Sequence, residues 1–127
     1  MNVKLVYNDY NIEYPNVKAT AAARIVRQIK AFKAQIDAVG FESHFIVGET
    51  PSTASQMSAM SSFNALNVSV FQTEIDVRHT SLPPTAKALL QQASDYYSTV
   101  AACMKTTGCK AMTIWDFDGE SPAMGVV

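Results

Sequence analysis

The sequence predicts an α/β fold of about four parallel strands with intervening helices, and three observations predict it. Short apolar runs rich in β-branched and aromatic residues alternate with longer stretches of helical periodicity, in the order β-α-β-α-β-α-β. Strands separated by helices pair in parallel through right-handed crossovers. Each apolar run also finishes in polar residues, at the carboxyl ends where parallel α/β folds build their sites. The architecture is an open doubly wound sheet or a partial (β/α)8 barrel. No glycine-rich phosphate loop follows the first strand, which disfavours a nucleotide-binding fold.

The elements follow in order. KLVYNDY, residues 4–10, is the first strand. Residues 18–34 read as a helix, with Ile25, Val26, Ile29 and Phe32 at helical spacing. IDAVGFESHF, 36–45, is the second strand, and TPSTAS, 50–55, is a loop with helix-starting residues. Met57, Met60, Phe63 and Leu66 recur every three residues on one face of the next helix. The third strand covers 68–77. SLPPTAK turns the chain, with Thr85 as N-cap of a helix over 86–106. That helix carries Leu89, Leu90, Ala93, Tyr96, Val100 and Cys103, and Gly108 stops it. AMTIWDF, 111–117, is the last strand. The methionine and aromatic stripes are assigned to the core.

The 127 residues suffice for one domain, 1–127, and 48% hydrophobic with 17% charged residues is globular composition. A net charge of -1 carries no basic excess, so no nucleic acid and no anionic membrane is expected as a partner. No apolar run approaches the ~20 residues of a membrane span. The opening MNVKLVYNDYN has no secretory-signal pattern. Cys103 and Cys109, with no histidine nearby, do not make a four-ligand zinc site; they are two buried thiols or a short disulfide. Asn67-Val68-Ser69 is a glycosylation sequon that matters only in a secreted chain, and His79 reads as a surface residue.

The strand ends gather Asn8, Asp9, Tyr10 and Asn11; Glu42, Ser43 and His44; Glu74, Asp76 and Arg78; Trp115 and Asp116. Glu74 and Asp76, two apart on a strand, share a face. Aromatic rings stack on sugar faces, amides and carboxylates bind hydroxyls, and a carboxylate can attack an anomeric carbon. The set therefore suits carbohydrate chemistry. A divalent-metal site is the competing reading, since Asp, Glu and His also ligate metals.

YNDYN at 7–11, GFESHFIVGETP at 40–51, TEIDVR at 73–78, QQASDYYSTVAAC at 91–103 and TIWDF at 113–117 stand in this order. Together they resemble the second half of the catalytic barrel of fungal family-ten glycoside hydrolases, the endo-β-1,4-xylanases, over residues 3–118. The resemblance implies strands five to eight of a (β/α)8 barrel and a retaining enzyme acting on xylan or xylo-oligosaccharide, without cofactor or metal. It makes Glu74 the nucleophile, His44 its hydrogen-bonding partner and Asp76 the support of that histidine. It assigns Trp115 to the platform at the cleaved bond and Asn8, Tyr10 and Asn11 to the leaving-group side. It also implies a Cys103–Cys109 disulfide and an extracellular location. Hydrogen bonds donated by His44 suit an ionised carboxylate, and Asp76 would fix the ring's tautomer.

The chain departs from the family in four ways. Retaining hydrolysis needs two carboxyl groups about 5–5.5 Å apart. The family's acid/base glutamate follows an asparagine on strand four, and no residue here matches it. Glu42 stands where the family has glutamine, crowding Glu74 and open to protonation. The connection after the first helix, KAFKAQIDAVGF, is about three residues shorter and lacks the usual glycine turn, and the C-terminus lacks a second tryptophan and the final helix. Four strands alone also leave two open edges, a route to self-association. The expectation is a xylanase-type hydrolase that is truncated; the alternative is an inactive xylan-binding remnant or truncated gene product.

Overall fold

A computed structural model describes residues 3–115; Asp116, Phe117 and the tail 118–127 lie outside the described residues. The elements run β1 (Val6–Asp9), α1 (Val17–Ala31), β2 (Ala38–Phe41), β3 (His44–Ile46), α2 (Thr53–Asn64), β4 (Ser69–Arg78), α3 (Ala86–Lys105) and β5 (Cys109–Ile114). Every strand pairing is parallel: β1 with β2, β2 and β3 with β4, and β4 with β5. Chain order and spatial order therefore agree, as in a segment of a (β/α)8 barrel.

Two irregularities shape the sheet. The single strand expected over 36–45 is two strands, because Ser43 takes a left-handed φ of 64° and breaks the ladder between β2 and β3. Opposite that break, β4 carries one extra residue. From Gln72 to Asp76 it takes four steps, while the paired Phe41 and His44 are three apart. Against β5 it takes three steps from Gln72 to Ile75, where Met112 and Ile114 are two apart. This is a β-bulge, and it changes the phase of the strand. Val70 and Gln72 are buried under the helices, and so are Ile75 and Val77. Thr73 and Glu74, consecutive residues, both turn to the opposite face, where both meet Asn8.

The helices cover one side of the sheet. Asn16 caps α1 by accepting from the Ala19 amide at 2.8 Å. The buried stripe of α1 is Ala19, Ala22, Ala23 and Val26, whose small side chains let the helix approach closely. Ile25 and Phe32, expected in the core, are exposed. The missing glycine after α1 is replaced by Lys33, which itself takes φ 55°, while the Ala34 amide closes on the Ile29 carbonyl at 3.1 Å. In α2 the expected stripe holds: Met60 and Phe63 are buried, and Phe63 meets Phe41 edge-on at 5.4 Å. Fully burying such aromatic rings contributes about 1.5–3 kcal/mol each.

The third helix departs most from expectation. Thr85 caps it, but Leu89, Leu90 and Val100 are exposed, and Asp95, Thr99, Ala102 and Cys103 face inward. The reason is a polar seam between α2, α3 and β4. Gln72 Nε2 donates to the Thr99 carbonyl at 3.2 Å, Gln56 Nε2 donates to the Pro51 carbonyl at 2.7 Å, and the Gly48 amide donates to Asp95 at 2.7 Å. Gly108 does not stop the helix; the Thr106 amide does, closing on the Cys103 carbonyl. Gly108 is required because a Cβ there would collide with the Asn64 side chain. His79, expected at the surface, is half-buried.

Cys103 and Cys109 are disulfide-bonded, tying the end of α3 to the start of β5 over a separation of 6 residues. Closing so short a loop stabilises by roughly 2 kcal/mol. The Cys103→Ala/Cys109→Ala variant is expected to lose about that much in urea unfolding. Among the described residues β1 and β5 each have one neighbouring strand, and Leu5, Val6 and Ile114 lie exposed near those edges. No described helix is long and apolar enough to cross a membrane.

Candidate active site

The pairing register assembles the site at the carboxyl end of the sheet. His44 stands directly opposite Asp76, and Asn8 opposite Gly40. Paired residues of parallel strands point the same way, so β3 and β4 set an imidazole beside two carboxylates. His44 Nδ1 lies 3.0 Å from Asp76 Oδ1, a buried oxygen with no aligned hydrogen-bond donor among the described residues. His44 Nε2 lies 3.3 Å from Glu74 Oε2 and 3.6 Å from Glu42 Oε2. The other oxygen of Glu74 accepts from Asn8 Nδ2 at 3.0 Å, and the same amide nitrogen reaches Glu42 Oε1 at 3.2 Å. Thr73 Oγ1 in turn donates to Asn8 Oδ1 at 2.7 Å. Thus consecutive residues of β4 grip both ends of one amide, an arrangement that the bulge makes possible.

Electrostatics follow from this packing. Burial alone draws the His44 imidazole down, but Asp76 first and Glu74 second outweigh it, and its pKa is raised above the ordinary 6.5. As imidazolium the ring stands between the carboxylates of Asp76 and Glu74, with Nε2 in hydrogen-bond reach of Glu74. Burial, then the charge of Glu74, raises the Glu42 carboxyl above its usual range, as the crowding predicts. Asp9 goes the other way: burial pushes it up, but Lys18 at 2.7 Å and the Tyr7 hydroxyl outweigh this and hold it below the usual range.

The raised His44 pKa gives a signed expectation. A base whose folded pKa exceeds its unfolded value adds stability that is complete below the unfolded pKa, and that fades as pH rises through the folded one. Asp76→Asn removes the main cause. The pH-dependent part of the native chain's stability advantage over Asp76→Asn is therefore expected in full below about pH 6.5, down to the range near pH ~4 where carboxylates ordinarily take up protons. It should shrink above that value, as followed by urea midpoints across the range.

The remaining expected residues sit around this cluster. The Trp115 ring lies 6.2 Å from the His44 ring, edge-on, and is about half exposed. Asn11 joins Tyr14, His44, Phe45, Glu49 and Pro51 around a cavity of about 180 Å³. Tyr10 packs beside Asp9, its amide donating to Asp9 Oδ1 at 2.9 Å and its ring centroid 3.3 Å from Lys18 Nζ. The sequence reading missed Thr73, Gly40 and Glu13, and it gave Ser43, gathered at a strand end, no part in the geometry. A glycine between valine and phenylalanine in a strand is the one signal that could have found Gly40, since such glycines mark close approach.

Glu42, His44 and Glu74 offer ligand atoms that all lie within 4.8 Å of one another, a spacing that a divalent cation can bridge. Asn8 and Asp76 already partner these groups without one. What the arrangement provides is a partly exposed carboxylate, Glu74, fixed at both oxygens, beside a histidine whose ring meets a half-exposed indole.

Comparisons with known proteins identify the family. The sequence model described as glycosyl hydrolase family 10 matches residues 1–122. The chain is 53% identical over 116 residues to endo-1,4-beta-xylanase D of Talaromyces funiculosus, covering 91% of this chain and 28% of that protein. Endo-1,4-beta-xylanase 1 of Humicola insolens is 40% identical over 91% of this chain and 27% of that protein. Among solved structures, the GH10 xylanase of Bispora sp. MEY-1 with xylobiose superposes with a TM-score of 0.92 at 56% identity. It is covered over 97% of this chain and 38% of that one. The Penicillium canescens endo-1,4-beta-xylanase XylE gives a TM-score of 0.90 at 47% identity, over 95% of this chain and 38% of that one. The chain thus spans between a quarter and two-fifths of these relatives.

Proposed function

Because the chain belongs to glycosyl hydrolase family 10, we propose that it forms the nucleophile-bearing half of a retaining endo-β-1,4-xylanase barrel, with Glu74 attacking the anomeric carbon of the xylan backbone. The observation that carries this is the fixation of Glu74, held by Asn8 on one oxygen and by His44 on the other. Attack forms an ester between Glu74 and the sugar as the glycosidic bond breaks, and water later hydrolyses it with net retention. Asn8 and His44 orient the carboxylate, Asp76 supports the ring of His44, and Trp115 with Tyr10 and Asn11 contacts the sugar chain. The reaction needs no cofactor.

Residues 1–127 correspond, in this reading, to strands five to eight. The second carboxyl group has no match in the chain. Glu42 shares the Asn8 amide with Glu74 and so approaches it from the same side, whereas the proton donor must face the leaving oxygen. The second reading is a catalytically inactive xylan-binding remnant. The disulfide fits an oxidising, extracellular location.

The two readings separate with a dinitrophenyl 2-deoxy-2-fluoro-β-xylobioside. Its leaving group departs without protonation, so the test does not need the missing acid, and the fluorine slows hydrolysis of the ester. One xylobiosyl adduct per chain, mapped to the peptide holding Glu74, is the expected result. Reversible xylobiose binding without any adduct would establish the remnant.

A further inference from the structure

Glu13 is an acid that the proposed reaction does not use, yet it is almost wholly buried, at 3% exposure. It lies in the β1–α1 loop, among Asn11, Ile12 and Tyr14, with no ion pair to it among the described residues. Burial raises its carboxyl above the usual range, against backbone amides and, last, the charge of His44, which pull the other way. A group kept at such cost is held for a reason.

Its one aligned partner across the fold is the Ser43 amide, which donates to Glu13 Oε1 at 2.9 Å. Ser43 is fully buried and is the residue whose φ of 64° breaks the second strand. A serine in that conformation is strained and persists only when its surroundings impose it. The carbonyl of the same residue accepts from the Asp76 amide at 3.3 Å. Ser43 is therefore clamped from both sides, by Glu13 at its N–H and by β4 at its carbonyl. The next residue is His44, whose ring direction depends on that turn.

We propose that Glu13 is a positioning residue: its buried carboxylate holds the Ser43 peptide in the left-handed turn that aims His44 at Glu74. This rests on the reading of Glu74 given above. Glu13 touches neither sugar nor reacting atoms; it acts through Ser43.

The test uses Glu13→Ala, Glu13→Gln and the Ser43→Gly background. Glu13→Ala removes the acceptor, so the Ser43 amide should exchange with solvent at least tenfold faster. The first-order rate of labelling by the fluoroxylobioside should fall by about tenfold to a hundredfold, with the half-saturating concentration unchanged. Glu13→Gln keeps an oxygen for the Ser43 amide and should stay near native. Glycine reaches φ 64° freely, so Glu13→Ala/Ser43→Gly should recover labelling to within a few-fold while its amide exchange stays fast. Native labelling in Glu13→Ala, or an equal loss in Glu13→Gln, would overturn the proposal. If Glu13→Ala does not fold, the double variant decides. Recovered labelling supports the clamp; a double variant that also fails to fold overturns it, since Glu13 would then be holding the fold rather than the turn. If the native chain does not label, the reading of Glu74 fails, and amide exchange at Ser43 alone decides the clamp.

Discussion

Glu74→Gln will label with the fluoroxylobioside about 10³-fold more slowly than the native chain, or not at all. The substitution keeps the shape of the side chain, removes the charge that attacks and turns one of its two oxygens into an NH2 donor. Asn8, Thr73 and His44 remain in place to hold it, so unfolding midpoints should move by less than about 1 kcal/mol. A collapsed site would also lose labelling, and a second variant separates the two. Glu74→Ala opens space for a small anion on the same face of the sugar. With azide and an unfluorinated dinitrophenyl xylobioside, that variant is expected to release dinitrophenolate and form a glycosyl azide of inverted configuration. Azide then forms the bond to the anomeric carbon as the aryl oxygen leaves with its electron pair. Labelling that persists in Glu74→Gln would remove Glu74 from the mechanism.

The second large effect is expected at Gly40. A Cβ on this residue would collide with the Asn8 side chain and come within 3.0 Å of Thr73 Cγ2. The Asn8 amide links Thr73, Glu42 and Glu74, so moving it releases the nucleophile from one of its two supports. A displacement of an ångström at a reacting group costs about 10²-fold, and Gly40→Ala should lose about that much labelling. Overpacking should also cost about 1–3 kcal/mol of stability. Gly40→Ala/Asn8→Gly removes the collision. That double variant is expected to regain stability but not labelling, which distinguishes a misplaced amide from a damaged sheet. Equal labelling in Gly40→Ala and the native chain would show that Asn8 does not support Glu74.

Much of this was legible in the residues. The alternation of strands and helices, the parallel order and the polar strand ends all follow from patterning, and they bring Glu74, His44, Asp76, Asn8, Glu42 and Trp115 together as expected. What failed were readings that depend on which atoms fill a space. The leucines of α3 carry a helical period, but the polar seam through Gln56, Gln72 and Thr99 takes the inward face. The split of the second strand was hidden because serine carries no mark of a left-handed φ, unlike glycine or asparagine. Nothing in the pattern marks Glu13, because its partner lies 30 residues away in sequence. The cysteine pair stayed open on spacing alone, and only the positions of the end of α3 and the start of β5 decide it.

The extra residue in β4 also sets a condition for transplanting this chemistry. Between its pairings at Gln72 and Asp76 the strand contributes one residue more than its neighbour does. A recipient barrel whose strands alternate strictly will offer its interior either the threonine or the adjacent glutamate, never both. A graft copied residue for residue would then carry every named side chain and still leave the amide of its asparagine gripped at one end. The unit to be moved is the pair of strands with their mismatch in count, and the left-handed serine opposite it belongs to the same cargo.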